Sequence, residues 1–215
     1  MEIWLDTIDE NVITDAVKTG IISGVTTNPT ILSKANNVLD TIKMLLDVQP
    51  GPVTIQVTSP NAENMIEEGI RIFELSSRMI VKIPINKNGL IAIQKLQEDN
   101  IPILGTAILY PSQVLLAQAQ QIPYIAPYFS HMGSTEHAQA TLKTMKEILC
   151  MSNSPTKILL ASLREVDQII YAALLGIEAA TIKPDLYYKL LTDDPVVDTL
   201  LKQHSSDWQG AHKSL

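Results

Sequence analysis

Eight short apolar runs, each followed by a longer amphipathic stretch, constrain the fold of this chain more than any other feature. They occupy residues 2–7, 23–28, 53–58, 79–84, 101–109, 124–129, 157–162 and 179–184. Such runs read as buried β-strands, and helical period in 61–75, 88–100 and 162–176 supplies elements that cover them. The last of these segments closes on Gly176, the residue type that best accepts a left-handed turn at a helix end. Run starts recur about 20–30 residues apart, as strand–helix units of a parallel sheet do. Eight units fit a closed barrel better than an open sheet, which would leave two edges to protect. The expected architecture is α/β: a single (β/α)8 TIM barrel spanning 1–215 as one domain, with an extra C-terminal helix over about 195–211.

Of the 215 residues 46% are hydrophobic and only 5% aromatic, so Ile, Leu, Val and Ala must fill the core. That is the palette of buried parallel strands. A formal charge of −7 repels a phosphate backbone, and no run of three basic residues offsets it, which argues against nucleic acid as a partner. A small phosphorylated substrate needs only one or two local cations and stays open. Cys150 is the single cysteine, so no internal disulfide forms; it reads as a small buried apolar residue. The opening MEIWLDTIDE lacks the basic-then-apolar pattern of a leader, and no run of about 18 apolar residues exists. A cytoplasmic protein with no membrane partner is expected.

Barrel strands should be apolar, so polar residues near their C-terminal ends carry information. Asp6 closes the first run, Asn28 the second, Gln56 lies in the third and Lys82 in the fourth. Thr106 lies in the fifth, Tyr128 in the sixth, and Ser162 ends the seventh. Catalytic groups of this architecture project from those ends of different strands. For any one of them a satisfied core hydrogen bond or a helix N-cap is an equal alternative.

Lys82 is the sharpest of the set, flanked by Ile80-Val81 and Ile83-Pro84 with no carboxylate among its sequence neighbours. Desolvation disfavours the charged form of a lysine, which makes a neutral amine accessible near neutral pH. A neutral amine attacks a carbonyl and forms a Schiff base that withdraws electrons from the adjacent carbon. The alternative is a structural ion pair with Asp6 across the barrel. Lys183, in Thr181-Ile182-Lys183-Pro184-Asp185, rivals Lys82 on the same grounds.

Together these residues match a family pattern. Gly24-Val25-Thr26-Thr27-Asn28-Pro29-Thr30 resembles the signature of the transaldolases, and Val81-Lys82-Ile83-Pro84 resembles their lysine strand. Leu104-Gly105-Thr106-Ala107, Ala126-Pro127-Tyr128, Ala161-Ser162 and Asp207-Trp208-Gln209-Gly210-Ala211 extend the similarity from end to end. Within the family, transaldolases carry Glu on the third strand and Phe on the sixth. Gln56, Tyr128 and the Leu-Gly-Thr-Ala stretch are instead similar to the fructose-6-phosphate aldolases.

The resemblance implies a lysine aldolase that needs neither metal nor organic cofactor and cleaves fructose 6-phosphate to dihydroxyacetone and glyceraldehyde 3-phosphate. Lys82 would form the Schiff base, while Tyr128, Gln56 and Thr106 would position a proton-shuttling water. Asp6 would exchange protons with substrate hydroxyls. Asn28, Thr26 and Ser162 would bind the dihydroxyacetone unit. Relatives carry Arg three residues after the sixth-strand aromatic to grip the phosphate; His131 stands there, with Arg164 as a second candidate cation. His is mostly neutral at pH 7 and lacks the two-pronged grip of Arg. Transfer of the dihydroxyacetone unit to another aldehyde is the neighbouring alternative, and a sugar-binding barrel without turnover is a third. The implied assembly is a homo-oligomer, a decamer of two pentamers with the C-terminal helix reaching a neighbour.

Metal chemistry finds little support in the sequence. His131 and His137 lie six apart across Gly133, and His204 and His212 sit in the tail, which matches no common ligand pair. No G-x-G-x-x-G follows a strand, so dinucleotide binding lacks its signature. Glu67 and Glu68 read as a solvated helix face.

Overall fold

In the computed structural model, which describes residues 1–191 and 195–211, eight parallel strands close into a barrel in sequence order. His212 and the end of the expected 1–215 domain lie outside the described residues. The strands are β1 (Glu2–Asp6), β2 (Ile22–Thr26), β3 (Val53–Gln56) and β4 (Met79–Pro84), then β5 (Ile103–Ile108), β6 (Tyr124–Pro127), β7 (Lys157–Leu160) and β8 (Ala179–Ile182). Helices α1 (Glu10–Thr19), α2 (Pro29–Leu32), α3 (Val38–Val48), α4 (Ala62–Phe73) and α5 (Lys87–Glu98) follow the first four strands. Helices α6 (Pro111–Ala119), α7 (Thr135–Met151), α8 (Val166–Leu174) and α9 (Pro184–Leu190) follow the rest, and α10 (Pro195–Ala211) is the expected C-terminal addition. The second crossover holds two helices, α2 and α3.

Strand alternation sorts the side chains into two cores. Met79, Val81 and Ile83 of β4 join the large cluster between sheet and helices, whereas Ile80 packs on the small cluster inside the barrel. Lys82 therefore points inward. The same parity sends Val53 and Ile55, Ile103, and Ile158 and Leu160 outward. It turns Trp4, Leu104, Ala126, Leu159 and Ala179 inward, and by the same count Asp6, Thr26, Gln56 and Thr106. Polar residues thus share the inner wall at the C-terminal end of the strands, with apolar ones beneath them.

The helices start where the loops supply caps. Side chains of Asp9, Asn37, Asn61, Asn86 and Ser134 each accept a backbone N–H at a helix start. Helix α8 ends as its sequence implies: Gly176 is left-handed at φ 72°, and the Gly176 and Ile177 amides bond back to the carbonyls of Ala173 and Ala172.

Three local expectations are corrected. The strands stop earlier than the apolar runs, so Asn28, Tyr128 and Ser162 lie just past β2, β6 and β7 rather than in them. Asn28 instead caps α2, because Pro29 is preset for a first helical turn and Asn28 Oδ1 accepts the Ile31 amide at 3.0 Å. Cys150 is exposed, on the outer face of α7. Glu67 does face solvent beside Arg71, but Glu68 turns back and accepts from the Ser59 hydroxyl at 2.6 Å and the Thr58 amide at 2.7 Å. A loop that needed its amides satisfied outcompeted water for that carboxylate.

Candidate active site

Lys82 is 3% exposed, yet it sits on the inner wall rather than among the helices. Its Nζ donates to the Thr27 carbonyl at 3.2 Å and lies 5.8 Å from the centre of the Tyr128 ring. Among the described residues it has no ion-pair partner within 4.0 Å, so the structural pair with Asp6 is not formed. The rival Lys183 is exposed at the start of α9. Burial separates the two lysines, which the sequence alone left level.

Around Lys82 the strand register assembles polar neighbours. Gln56 is its direct partner on β3. Asp6 pairs with Thr26 in the β1–β2 register, and the Thr26 hydroxyl donates to Asp6 Oδ1 at 2.8 Å. Thr26 also shares a 2.6 Å hydrogen bond with Thr181. Burial pushes the Asp6 carboxyl above its ordinary value of 3.8, and the charge of Lys82, the Thr26 bond and Lys183 oppose that rise without cancelling it. Asp6 is thus a carboxylate that takes up a proton more readily than most.

On the other side, Thr106 is fully buried and its hydroxyl shares a 2.8 Å hydrogen bond with Tyr128 Oη. Tyr128 starts a short 3₁₀ turn, Phe129–His131, and its ring lies 5.7 Å from that of His131. His131 Nδ1 is 3.0 Å from Ser162 Oγ, so these two expected substrate-binding residues already bond each other. Arg164 is exposed and lines a neighbouring cleft of about 180 Å³ with Ser130, Gly133 and Gln168, a lining that contains none of the inner-wall residues. The structure therefore unites Asp6, Thr26, Gln56, Lys82, Thr106 and Tyr128, places His131 and Ser162 at their rim, and sets Arg164 apart.

The signature stretch has a structural job at nearly every position. A Cβ on Gly24 would meet the Trp4 ring and the Pro52 carbonyl at 2.7 Å, so only glycine lets Trp4 lie across the barrel floor. Thr27 donates to the Thr54 carbonyl at 2.7 Å, which anchors the carbonyl that Lys82 bonds.

Two features escape a reading by residue type. Ala107 (φ 56°) and Ser162 (φ 62°) are left-handed non-glycines at the ends of β5 and β7, on either side of Tyr128. Strain of this kind costs on the order of 1–3 kcal/mol and gathers at functional sites. It also resets the alternation: Ser162 would share the outward parity of Leu160, but its backbone turns it to the rim beside His131. The other feature is a pair of capping glutamines, Gln113 and Gln168, whose Oε1 atoms accept amides at the starts of α6 and α8. Their spacing, three residues past the cap, is a legible signal.

Among the described residues no group of three or more His, Cys, Asp or Glu is placed to hold a metal ion. No helix among them is long and apolar enough to cross a membrane.

Known proteins resemble this chain in fold and, separately, in sequence. In fold, the chain is similar to a flavocytochrome b2 double mutant with sulfite bound, with a TM-score of 0.61 at 11% identity. It covers 57% of that protein, which itself aligns with 86% of this chain. A mandelate oxidase mutant aligns with 94% of this chain and is covered over 71% of its own, with a TM-score of 0.60 at 11% identity. At such identity only the barrel is shared. In sequence, a probable transaldolase of Caulobacter vibrioides is 32% identical over the whole of both chains. One from Thermoplasma volcanium is 34% identical over 97% of this chain and 96% of its own. The transaldolase/fructose-6-phosphate aldolase family model matches residues 3–213. The chain belongs to the transaldolase/fructose-6-phosphate aldolase family, a family of enzymes.

Proposed function

We propose that this protein is a Schiff-base aldolase that cleaves a ketose phosphate such as fructose 6-phosphate into dihydroxyacetone and glyceraldehyde 3-phosphate. The observation that carries this reading is the placement of Lys82: a buried amine with no ion pair among the described residues, on the inner wall, in register with Gln56 and facing Tyr128. Its nitrogen attacks the substrate ketone, water leaves, and an iminium forms. Removal of a proton from the hydroxyl at C4 then breaks the C3–C4 bond. The bonding pair moves into the iminium and leaves an enamine on Lys82, and the aldehyde departs. Protonation of the enamine and hydrolysis release dihydroxyacetone and regenerate the amine.

Asp6, with its raised carboxyl and its link to Thr26, suits proton exchange with substrate hydroxyls. Tyr128, tied to Thr106, together with Gln56, suits a water that carries protons to and from the enamine. Proton transfer by positioned groups contributes about 10²–10⁴-fold. Thr26, Asn28 and Ser162 bind the three-carbon unit in this reading, His131 meets the far end of the sugar, and Arg164 supplies a more distant cation. The reaction calls on no metal or organic cofactor. An oligomer is proposed on the surface of α10, where Val197, Leu200, Leu201 and Trp208 are exposed along the helix. A cytoplasmic enzyme of carbohydrate metabolism fits this chemistry.

A second reading, transfer of the dihydroxyacetone unit to an acceptor aldehyde, is favoured by the names of the relatives, which are probable transaldolases. Product analysis decides between them. Free dihydroxyacetone from fructose 6-phosphate alone supports the aldolase, and turnover only when erythrose 4-phosphate is supplied supports the transferase. Sugar binding with no borohydride-trapped adduct on Lys82 would leave a binding protein instead.

A further inference from the structure

Gln113 is used at four points at once. Its Oε1 accepts from the Leu109 amide at 2.8 Å and the Tyr110 amide at 3.1 Å. Its Nε2 donates to the Ala107 carbonyl at 2.9 Å and the Ile85 carbonyl at 3.1 Å. A primary amide has two donor hydrogens and two acceptor lone pairs, so this side chain is saturated and its orientation determined. Two of the bonds are ordinary helix capping. The other two reach back to the ends of β4 and β5, which capping does not require.

What those two bonds hold is the strained part of the site. Ala107 is left-handed, and the β5–β6 register shifts between Gly105 and Ile108. Ala107 follows Thr106, whose hydroxyl bonds Tyr128 and whose carbonyl accepts the Ile85 amide at 3.0 Å. Ile85 and Ala107 are therefore tied to each other twice, through Thr106 and through Gln113. A left-handed alanine is strained and persists only where its surroundings over-determine it. Gln113 is the side chain that grips its carbonyl.

We propose that Gln113 is a positioning residue for the Thr106–Tyr128 pair. By clamping the Ala107 turn to the end of the lysine strand, it sets the Tyr128 hydroxyl for proton transfer without itself touching substrate. The inference rests on the reading of Lys82 and Tyr128 given above. Gln113→Glu is the surgical variant: its carboxylate still accepts from Leu109 and Tyr110 but donates nothing to Ala107 and Ile85.

The test combines ketose cleavage kinetics, borohydride trapping with dihydroxyacetone, and a 3-fluorotyrosine label at position 128 read by ¹⁹F NMR. In Gln113→Glu, kcat falls about tenfold or more while KM stays within about twofold, since misplacement of a reacting group acts on the chemical step. The Lys82 adduct still forms, and the double variant with Tyr128→Phe loses nothing beyond Tyr128→Phe alone. The fluorine signal moves between the parent and Gln113→Glu. A kcat within about twofold of the parent overturns the proposal. So do losses that multiply in the double variant, or an adduct lost together with activity. If the unmodified enzyme forms no adduct, the Schiff-base reading fails instead, and the fluorine signal alone decides the clamp: an unmoved resonance ends it.

Discussion

The two ends of the barrel interior use polar residues in opposite ways. At the N-terminal end the Glu2 carboxylate accepts from Trp4 Nε1 at 3.0 Å and from Tyr124 Oη at 2.8 Å. Burial and that carboxylate push the Tyr124 hydroxyl well above the usual tyrosine range, so it stays a donor. Beneath the apolar layer lies a cavity of about 230 Å³ lined by Trp4, Ile80, Leu104, Tyr124 and Leu159, with almost no polar surface. At the C-terminal end a lysine is buried with no ion pair among the described residues, a carboxyl is held above its ordinary value, and two non-glycines are strained. One end satisfies its polar groups and stabilises the fold. The other gathers a buried amine, a raised carboxyl and strained backbone at the end where the active faces of such barrels lie.

Substitutions that separate activity from stability test this contrast. The largest effect belongs to Lys82→Met, where borohydride trapping is abolished and kcat falls by on the order of 10⁴-fold or more. Its Tm changes by only a few degrees, because relief from burying the amine offsets the donor that the Thr27 carbonyl loses. Thermal unfolding beside kinetics would show it. Trp4→Ala does the reverse: deleting the barrel floor costs about 3–5 kcal/mol, a Tm lower by about 6–20 °C, with kcat per folded molecule retained. A large loss of kcat in that variant would mean that the floor and the mouth are coupled.

The same chemical change at both ends gives the sharpest comparison. Tyr128→Phe lowers kcat about 10²-fold and costs about 1 kcal/mol as the buried Thr106 hydroxyl loses its partner. Tyr124→Phe leaves kcat unchanged and costs about 1 kcal/mol, since the Glu2 carboxylate loses one of its donors. If the two variants behave alike in paired assays, the division of labour is wrong.

The smallest effect is a pH dependence at Asp6. Its carboxyl is raised in the fold, so its contribution to stability is fully present below the ordinary value of 3.8 and is lost as pH rises through the higher folded value. Asp6→Asn therefore unfolds at higher temperature than the parent near neutral pH, and the gap closes in acid. A gap that widens in acid would reverse the assignment of burial as the dominant influence on Asp6.

Much of this was legible in the chain itself. The number and spacing of eight apolar runs specified the barrel, and Asp6, Gln56, Lys82 and Thr106 stood out near their ends because a strand buried on both faces is otherwise apolar. The signature around Thr26 and the lysine strand specified the family. Tertiary structure decided what depends on residues distant in sequence. It ranked Lys82 above Lys183 by burial, joined Thr106 to Tyr128 and His131 to Ser162, and recruited Glu68 to a loop and Gln113 to two strand ends. It also turned Ala107 and Ser162 left-handed, a backbone state that no alanine or serine adopts by its own preference. Periodicity is local and survives in sequence; burial, charge environment and strain belong to the closed barrel.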